Sequence, residues 1–223
     1  MPEFRIPLIT GEYYHVFNRG VARQPIFLSI KDYEQALLAL SYYRFSNPPM
    51  RLSRYKELSV EERTNTLNEL QESEKRVEIA SFVLMPNHFH MLLKQTAENG
   101  ISSFISQFAN SYTRYFNTKH NRVGPIFQGV FKSVHVETTE QLVHLSRYIH
   151  LNPAVSAVVK ESDLISYRWS SLPDYLEEKN SSLIYSDAVL EQFSSREEYK
   201  KFVINYIDYG KELEKIKHLI LED

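Results

Sequence analysis

Short stretches rich in apolar and β-forming residues occur at four places along the chain, and apolar positions recur with helical spacing along several others. Glu12 to Asn18 reads as a strand, as does Val77 to Met85, which is rich in β-formers. His88 to Lys94 follows after a short Pro86-Asn87 turn, as in a hairpin, and Phe131 to Val136 is a further strand. A helix is predicted to start at Ser29, with Asp32 three places on and an apolar face of Tyr33, Ala36, Leu37 and Leu40. Asn47-Pro48-Pro49 breaks it. Ile101, Phe104, Ile105, Phe108, Tyr112 and Tyr115 mark a second amphipathic helix. Leu142, Leu145 and Ile149 mark a third, from Thr138 to Asn152, opened by a Thr138/Gln141 capping box and expected to stop at Pro153. The order β-α-β-β-α-β-α, with a charged insertion at about 45–77 carrying its own Ser59/Glu62-capped polar helix, predicts an α+β, ferredoxin-like antiparallel sheet. Its helices cover one face, and one helix is added. Residues 1–160 would form this domain and 161–223 a C-terminal helical extension. In that extension Tyr167 to Tyr175 is aromatic and turn-like, Ser195 to Tyr206 is a Ser-capped helix, and Lys211 to Leu221 is charged and helical in pattern.

The segment Pro86-Asn87-His88-Phe89-His90 carries the first candidate chemistry. Side chains on a strand alternate faces, so His88 and His90 point the same way while Phe89, Met91 and Leu93 point into a core. Two imidazoles so placed can bind one divalent cation, or can be two half-exposed strand histidines without a ligand. The segment Arg147-Tyr148-Ile149-His150-Leu151-Asn152-Pro153 is the second candidate. Tyr148 and Asn152, four apart, share one helix face, and His144 lies one turn earlier on it. Taken alone, a tyrosine and an asparagine near a helix end are ordinary in a chain with 15 tyrosines.

The 223 residues, 43% apolar, suit one soluble domain with decorations. Without cysteine there is no disulfide framework, thiol nucleophile or cysteine-based zinc site. No run of about 18 apolar residues and no signal-peptide core is present, so a cytoplasmic protein without membrane contact is the default expectation. The net charge of −2 argues against a general nucleic-acid binder. Its distribution changes that picture. Residues 161–223 hold 8 Lys/Arg and 14 Asp/Glu, a net of −6, so residues 1–160 hold the other 18 and 14, a net of +4. Phosphate contact depends on the local field. Arg19, Arg23, Arg114, Lys119, Arg122, Lys132 and Arg147 are candidate contacts, though each could equally be a solvated surface charge.

Together the two histidine- and tyrosine-bearing segments resemble the HUH single-tyrosine transposases, most nearly the REP-associated tyrosine transposases and their insertion-sequence-like relatives. Tyr14-His15-Val16-Phe17-Asn18-Arg19-Gly20 resembles that family's first strand and turn. Phe127-Gln128-Gly129-Val130-Phe131-Lys132-Ser133, Arg147 to Pro153 and Trp169-Ser170-Ser171 resemble further segments of it, in order, over roughly residues 11 to 176. The resemblance implies a metal-dependent enzyme that cleaves and rejoins single-stranded DNA at hairpin-forming repeats. Tyr148 would be the nucleophile, leaving a 5′-phosphotyrosine and a free 3′ hydroxyl. His88, His90 and Asn152 would hold a divalent cation, Mg2+ or Mn2+. Asn18, Arg19, Arg23, Arg114, Gln128, Lys132 and Arg147 would contact DNA. A free phenol titrates near pH 10, so a proton acceptor is needed; His144 and a metal-bound hydroxide are both candidates. Compact insertion-sequence relatives pair as dimers, REP-associated ones act as monomers, and the extension here favours the monomer. Two departures stand out: Val130 replaces a usual arginine, and Ala154-Val155 lacks the basic residue common after Asn-Pro. These departures bear on DNA affinity and tight hairpin specificity, not on the cleavage chemistry. Two other readings compete with the enzyme: a catalytically silent hairpin-binding protein with the transposase fold, and an unrelated metallohydrolase built on His88 and His90.

Overall fold

The computed structural model describes residues 8–177 and 182–211. Four strands, β1 (Tyr13–Arg19), β2 (Val77–Met85), β3 (His88–Gln95) and β4 (Lys132–Val136), form one antiparallel sheet in the order β2-β3-β1-β4. That is the ferredoxin-like order, and the fold is α+β as the element pattern predicts.

The pleat sorts the strand residues. Phe89, Met91 and Leu93 of β3, with Tyr14 and Val16 of β1, point to one face and are buried. On that face lie α1 (Ile30–Tyr43) and, after the short α2 (Leu52–Tyr55) and α3 (Val60–Gln71), α4 (Gly100–Lys119). Phe104, Phe108, Tyr112 and Phe116 recur every four residues along α4, and Phe108 meets Phe89 edge-on at 5.5 Å between ring centres. α3 has the full capping box expected of Ser59 and Glu62. At α1 the cap differs: the buried Asp32 carboxylate accepts from the Leu28 backbone N–H, and the Ser29 hydroxyl accepts from Lys119 Nζ instead of capping.

The opposite face carries His88 and His90 of β3 and His15 and Phe17 of β1, and α5 (Thr139–Val155) packs across it. The helices thus cover both faces, the added one lying over the histidines. Thr138 caps α5 by accepting from Gln141 N, while the Gln141 side chain accepts from Glu137 N. The stop expected at Pro153 is corrected. The helix runs on to Val155 with Pro153 inside its last turn. Proline costs one backbone bond there, yet its fixed φ is helical, and burial of Leu151, Asn152 and Ala154 holds the turn in place.

The chain after α5 continues through α6 (Leu172–Leu176), α7 (Asp187–Leu190) and α8 (Arg196–Ile204), whose Ser195 cap accepts from Glu198 N. Its residues close the outer edge of β2: Leu84 N donates to Trp169 O, Ser171 N to Phe82 O and Tyr185 N to Ile79 O. A covered edge has no unpaired row of backbone donors to offer another chain. Buried Trp169, Tyr175, Tyr199 and Val203 join the same core as the sheet. After Lys211, the charged stretch expected to Leu221 lies outside the described residues.

Candidate active site

Tyr148 is exposed at 40% while every other residue from 146 to 154 is buried. Its ring stands edge-on over the histidine face, 5.5 Å from His90 and 6.1 Å from His15 between centres. His88 and His90 are 5.0 Å apart and nearly perpendicular, as neighbours on one side of a strand can be. His88, Tyr148 and Asn152 line one pocket of about 310 Å3, together with His144, Arg147 and Tyr206. His90 lies against the Tyr148 ring.

Hydrogen bonds orient both imidazoles. Asn87 Nδ2 donates to the Arg23 carbonyl at 3.1 Å, which turns its Oδ1 toward His88. That oxygen only accepts, so His88 Nδ1 carries the proton of the 2.6 Å bond and the lone pair sits on Nε2. Arg23 and Ala22 both adopt positive φ, 58° and 52°, in the loop that holds this carbonyl against Asn87. His90 Nδ1 lies 2.9 Å from His15 Nε2, whose ring burial pushes its pKa down to about 4 and keeps neutral. Asn152 is buried, and its Oδ1 accepts from Ser156 Oγ at 3.4 Å. Among the described residues no three His, Cys, Asp or Glu side chains are grouped to hold a metal ion. By the family resemblance a cation would draw on the two imidazoles and the Asn152 amide oxygen, and Asn152 lines the same pocket as His88. A metal-binding histidine usually has its second nitrogen hydrogen-bonded, as both rings do here, so the donor set fits a divalent cation.

Other expected residues fall in four places. Arg19, Gln128 and Lys132 lie on the histidine side: Arg19 pairs with His88 in the sheet register, its Nε donates to Gln128 Oε1 at 2.8 Å, and Lys132 opens β4. Asn18 is buried on the other face, its Nδ2 donating to the Gly129 carbonyl at 3.4 Å. Arg114 is exposed on α4, across the sheet, in a groove of about 830 Å3 that also holds Arg51, Lys56 and Lys119. Arg147 is 9% exposed, with its guanidinium between the rings of Phe202 and Tyr206 at 4.1 and 3.7 Å. It also donates to His144 Nδ1 at 2.7 Å, and His144 Nε2 faces Glu140 at 3.9 Å. An arginine has no acceptor, so neutral His144 carries its proton on Nε2 and has no lone pair to offer Tyr148 in this arrangement.

Residues 42–152 match the family model described as transposase, IS200-like. The matched span runs from the end of α1 through the histidine strand to Asn152. The chain belongs to the IS200-like transposase family. A solved structure, described as a REP-associated tyrosine transposase bound to a REP hairpin, shares the fold with a TM-score of 0.55 and 17% identity; 84% of this chain and 90% of that chain are covered. No curated protein matches the chain in sequence. No helix among the described residues is long and apolar enough to cross a membrane.

Three residues of this IS200-like site escape motif reading. His15 and Asn87 hydrogen-bond the rings of His90 and His88. His150, fully buried and with its pKa pushed down to about 3 by that burial, hydrogen-bonds Tyr199 OH through Nδ1 at 2.7 Å and Ser171 Oγ through Nε2 at 2.8 Å. Tyr199 OH also meets Ser146 Oγ at 3.0 Å, and Ser171 Oγ accepts from Phe82 N at 2.9 Å. This buried chain of hydrogen bonds ties the Tyr148 helix to α8 and to β2.

Proposed function

We propose that the protein is a metal-dependent transposase that nicks and rejoins single-stranded DNA through a covalent bond to Tyr148, at sites beside hairpin-forming repeats. The observation that carries this reading is Tyr148 itself: an exposed tyrosine on a buried helical segment, its ring edge-on to that of His90 and sharing a pocket with His88 and Asn152.

The Tyr148 phenolic oxygen attacks the scissile phosphorus, the phosphorus–O3′ bond breaks, and the phenolic proton leaves as the 3′ oxygen gains one. The products are a 5′-phosphotyrosine and a 3′ hydroxyl. Because the ester bond energy is kept, a 3′ hydroxyl attacking the same phosphorus restores the strand and releases Tyr148. His88, His90 and Asn152 would hold the Mg2+ or Mn2+. Bound there, the ion would offset the charge that builds on the non-bridging phosphate oxygens. Arg19, Gln128 and Lys132 flank the same face and would contact the strand leading to the nucleophile. The hairpin as partner is supported by the structural relative, which holds one. Arg147 acts within the protein: its stacking on Phe202 and Tyr206 fixes the helix from which Tyr148 projects.

The test is a covalent-adduct assay. Labelled single-stranded DNA with a hairpin from the protein's genomic neighbourhood is incubated with Mn2+ or EDTA and run on a denaturing gel. A Mn2+-dependent shifted band, lost in Tyr148→Phe, is the expected result. Hairpin binding with no adduct, for folded and metal-loaded protein, would replace this reading with that of a silent DNA-binding relative.

A further inference from the structure

β1 places His15 and Phe17 on the histidine face, two residues apart. Phe17 stands directly opposite His90 in the sheet register, and His15 opposite Leu92, so His15 reaches His90 along the diagonal. Diagonal neighbours are within reach of an aromatic ring. The two imidazoles lie near-parallel at 23° and 5.0 Å between centres, joined by the 2.9 Å contact from Nε2 of His15 to Nδ1 of His90. One of these nitrogens donates and the other accepts.

The direction of that bond decides what His90 can do. If His15 donated, the single proton of a neutral His90 would sit on Nε2, the nitrogen needed for a cation. If His90 donates, its lone pair is on Nε2, matching what Asn87 enforces at His88. We propose that His15 is a positioning residue that accepts the Nδ1 proton of His90, fixing the tautomer and direction of that imidazole for the cation. The inference rests on the metal-dependent reading above and adds a residue to it. His15 is half-buried, and its ring packs against those of Phe17, His90 and Tyr148, which hold it beside His90. Orienting partners of this kind carry about 10- to 100-fold in metal affinity.

Two measurements decide it. Long-range proton–nitrogen correlation spectra of the intact, histidine-labelled protein in EDTA report which ring nitrogens are protonated. The expected pattern is a protonated Nδ1 on His90 and a non-protonated Nε2 on His15; the reverse pattern overturns the proposal without any variant. Mn2+ titration followed by electron paramagnetic resonance is the second. His15→Phe should weaken Mn2+ binding by about 10- to 100-fold, and His15→Gln, which restores an acceptor, should recover most of the loss. Unchanged Mn2+ affinity in folded His15→Phe overturns the proposal. Absence of Mn2+ binding by the unaltered protein would instead count against the metal-dependent reading, and the tautomer spectrum would still decide the role of His15.

Discussion

Replacing His150 tests whether the helix that presents Tyr148 is anchored through a neutral buried ring. His150 has no exposed surface, and burial pushes its pKa from an ordinary 6.5 down to about 3. The sign follows from linkage. The folded state refuses a proton that the unfolded chain binds below pH 6.5, so stability is undiminished above that pH and falls as pH drops, until the folded ring titrates near 3. At 1.36 kcal/mol per unit, about 2 kcal/mol is lost by pH 5 and about 4 kcal/mol by pH 3. His150→Gln removes the titration. At pH 7.5 it should destabilise by about 1–3 kcal/mol, because the shorter, non-aromatic amide cannot span Tyr199 and Ser171 as the ring does.

The single tryptophan, Trp169, is buried and stacked on Tyr33 at 4.6 Å, so its fluorescence reports unfolding of this core. Urea titrations in EDTA at pH 7.5 and pH 5, for both proteins, give the four free energies needed. The gap between them should shrink by about 2 kcal/mol on going to pH 5, with unchanged urea dependence. A gap of equal size at both pH values would refute the buried neutral ring, since every other titrating group is common to the two proteins.

Asn87→Ala should weaken Mn2+ binding by about 10- to 100-fold, measured by titration calorimetry, with little effect on thermal stability, because the Asn87 side chain holds His88 from a half-buried turn outside the core. Arg147→Ala should cost about 2–3 kcal/mol in urea unfolding through loss of two ring contacts and the His144 bond, and leave the salt dependence of hairpin binding unaltered; a slope change of about one would instead mark a phosphate contact. Arg114→Glu with Arg51→Glu tests the groove across the sheet: if DNA backbone lies there, the slope of log affinity against log salt falls by about 0.9 per lost contact, and adduct formation on a short unstructured strand is unchanged. For Asp32, desolvation raises the carboxyl pKa, but hydrogen bonds from Lys119, Leu28, Ser29 and Tyr115 outweigh it and hold the group below its ordinary value. Its stabilisation is present above the ordinary carboxylate range and lost as pH falls through the folded value, so Asp32→Asn should flatten the acid limb of a stability–pH curve.

What the sequence made legible and what it hid follow from the range of the interactions. His88 and His90 share a face because a strand alternates, and Tyr148 and Asn152 share one because a helix turns every 3.6 residues; both are local facts. The Ser59 and Ser195 caps are local as well. His15 could not be assigned from spacing, because its contact with His90 spans 75 residues and depends on which strand pairs with β1 and in what register. Arg147 reads as a free cation until Phe202 and Tyr206, more than fifty residues later, close on both sides of it. Pro153 carries a real local preference, overridden by burial on either side of it.

The same distinction divides the segment from Arg147 to Asn152, which as a motif looks like one functional unit. Its helical period splits it. Tyr148 and Asn152 face the pocket, His150 faces α8 and Ser171 in the core, and Arg147, in the pocket wall, is held by Phe202 and Tyr206. A nucleophile must meet a phosphate within a few tenths of an ångström, and a solvent-exposed tyrosine on a loosely packed helix would not. In this chain the C-terminal aromatics supply that fixity: Tyr199 takes the His150 imidazole, Phe202 and Tyr206 take the Arg147 guanidinium, and the one side chain of the segment left exposed is Tyr148. Loosening Tyr199 or Phe202 should therefore slow adduct formation while Tyr148, His88, His90 and Asn152 are all in place.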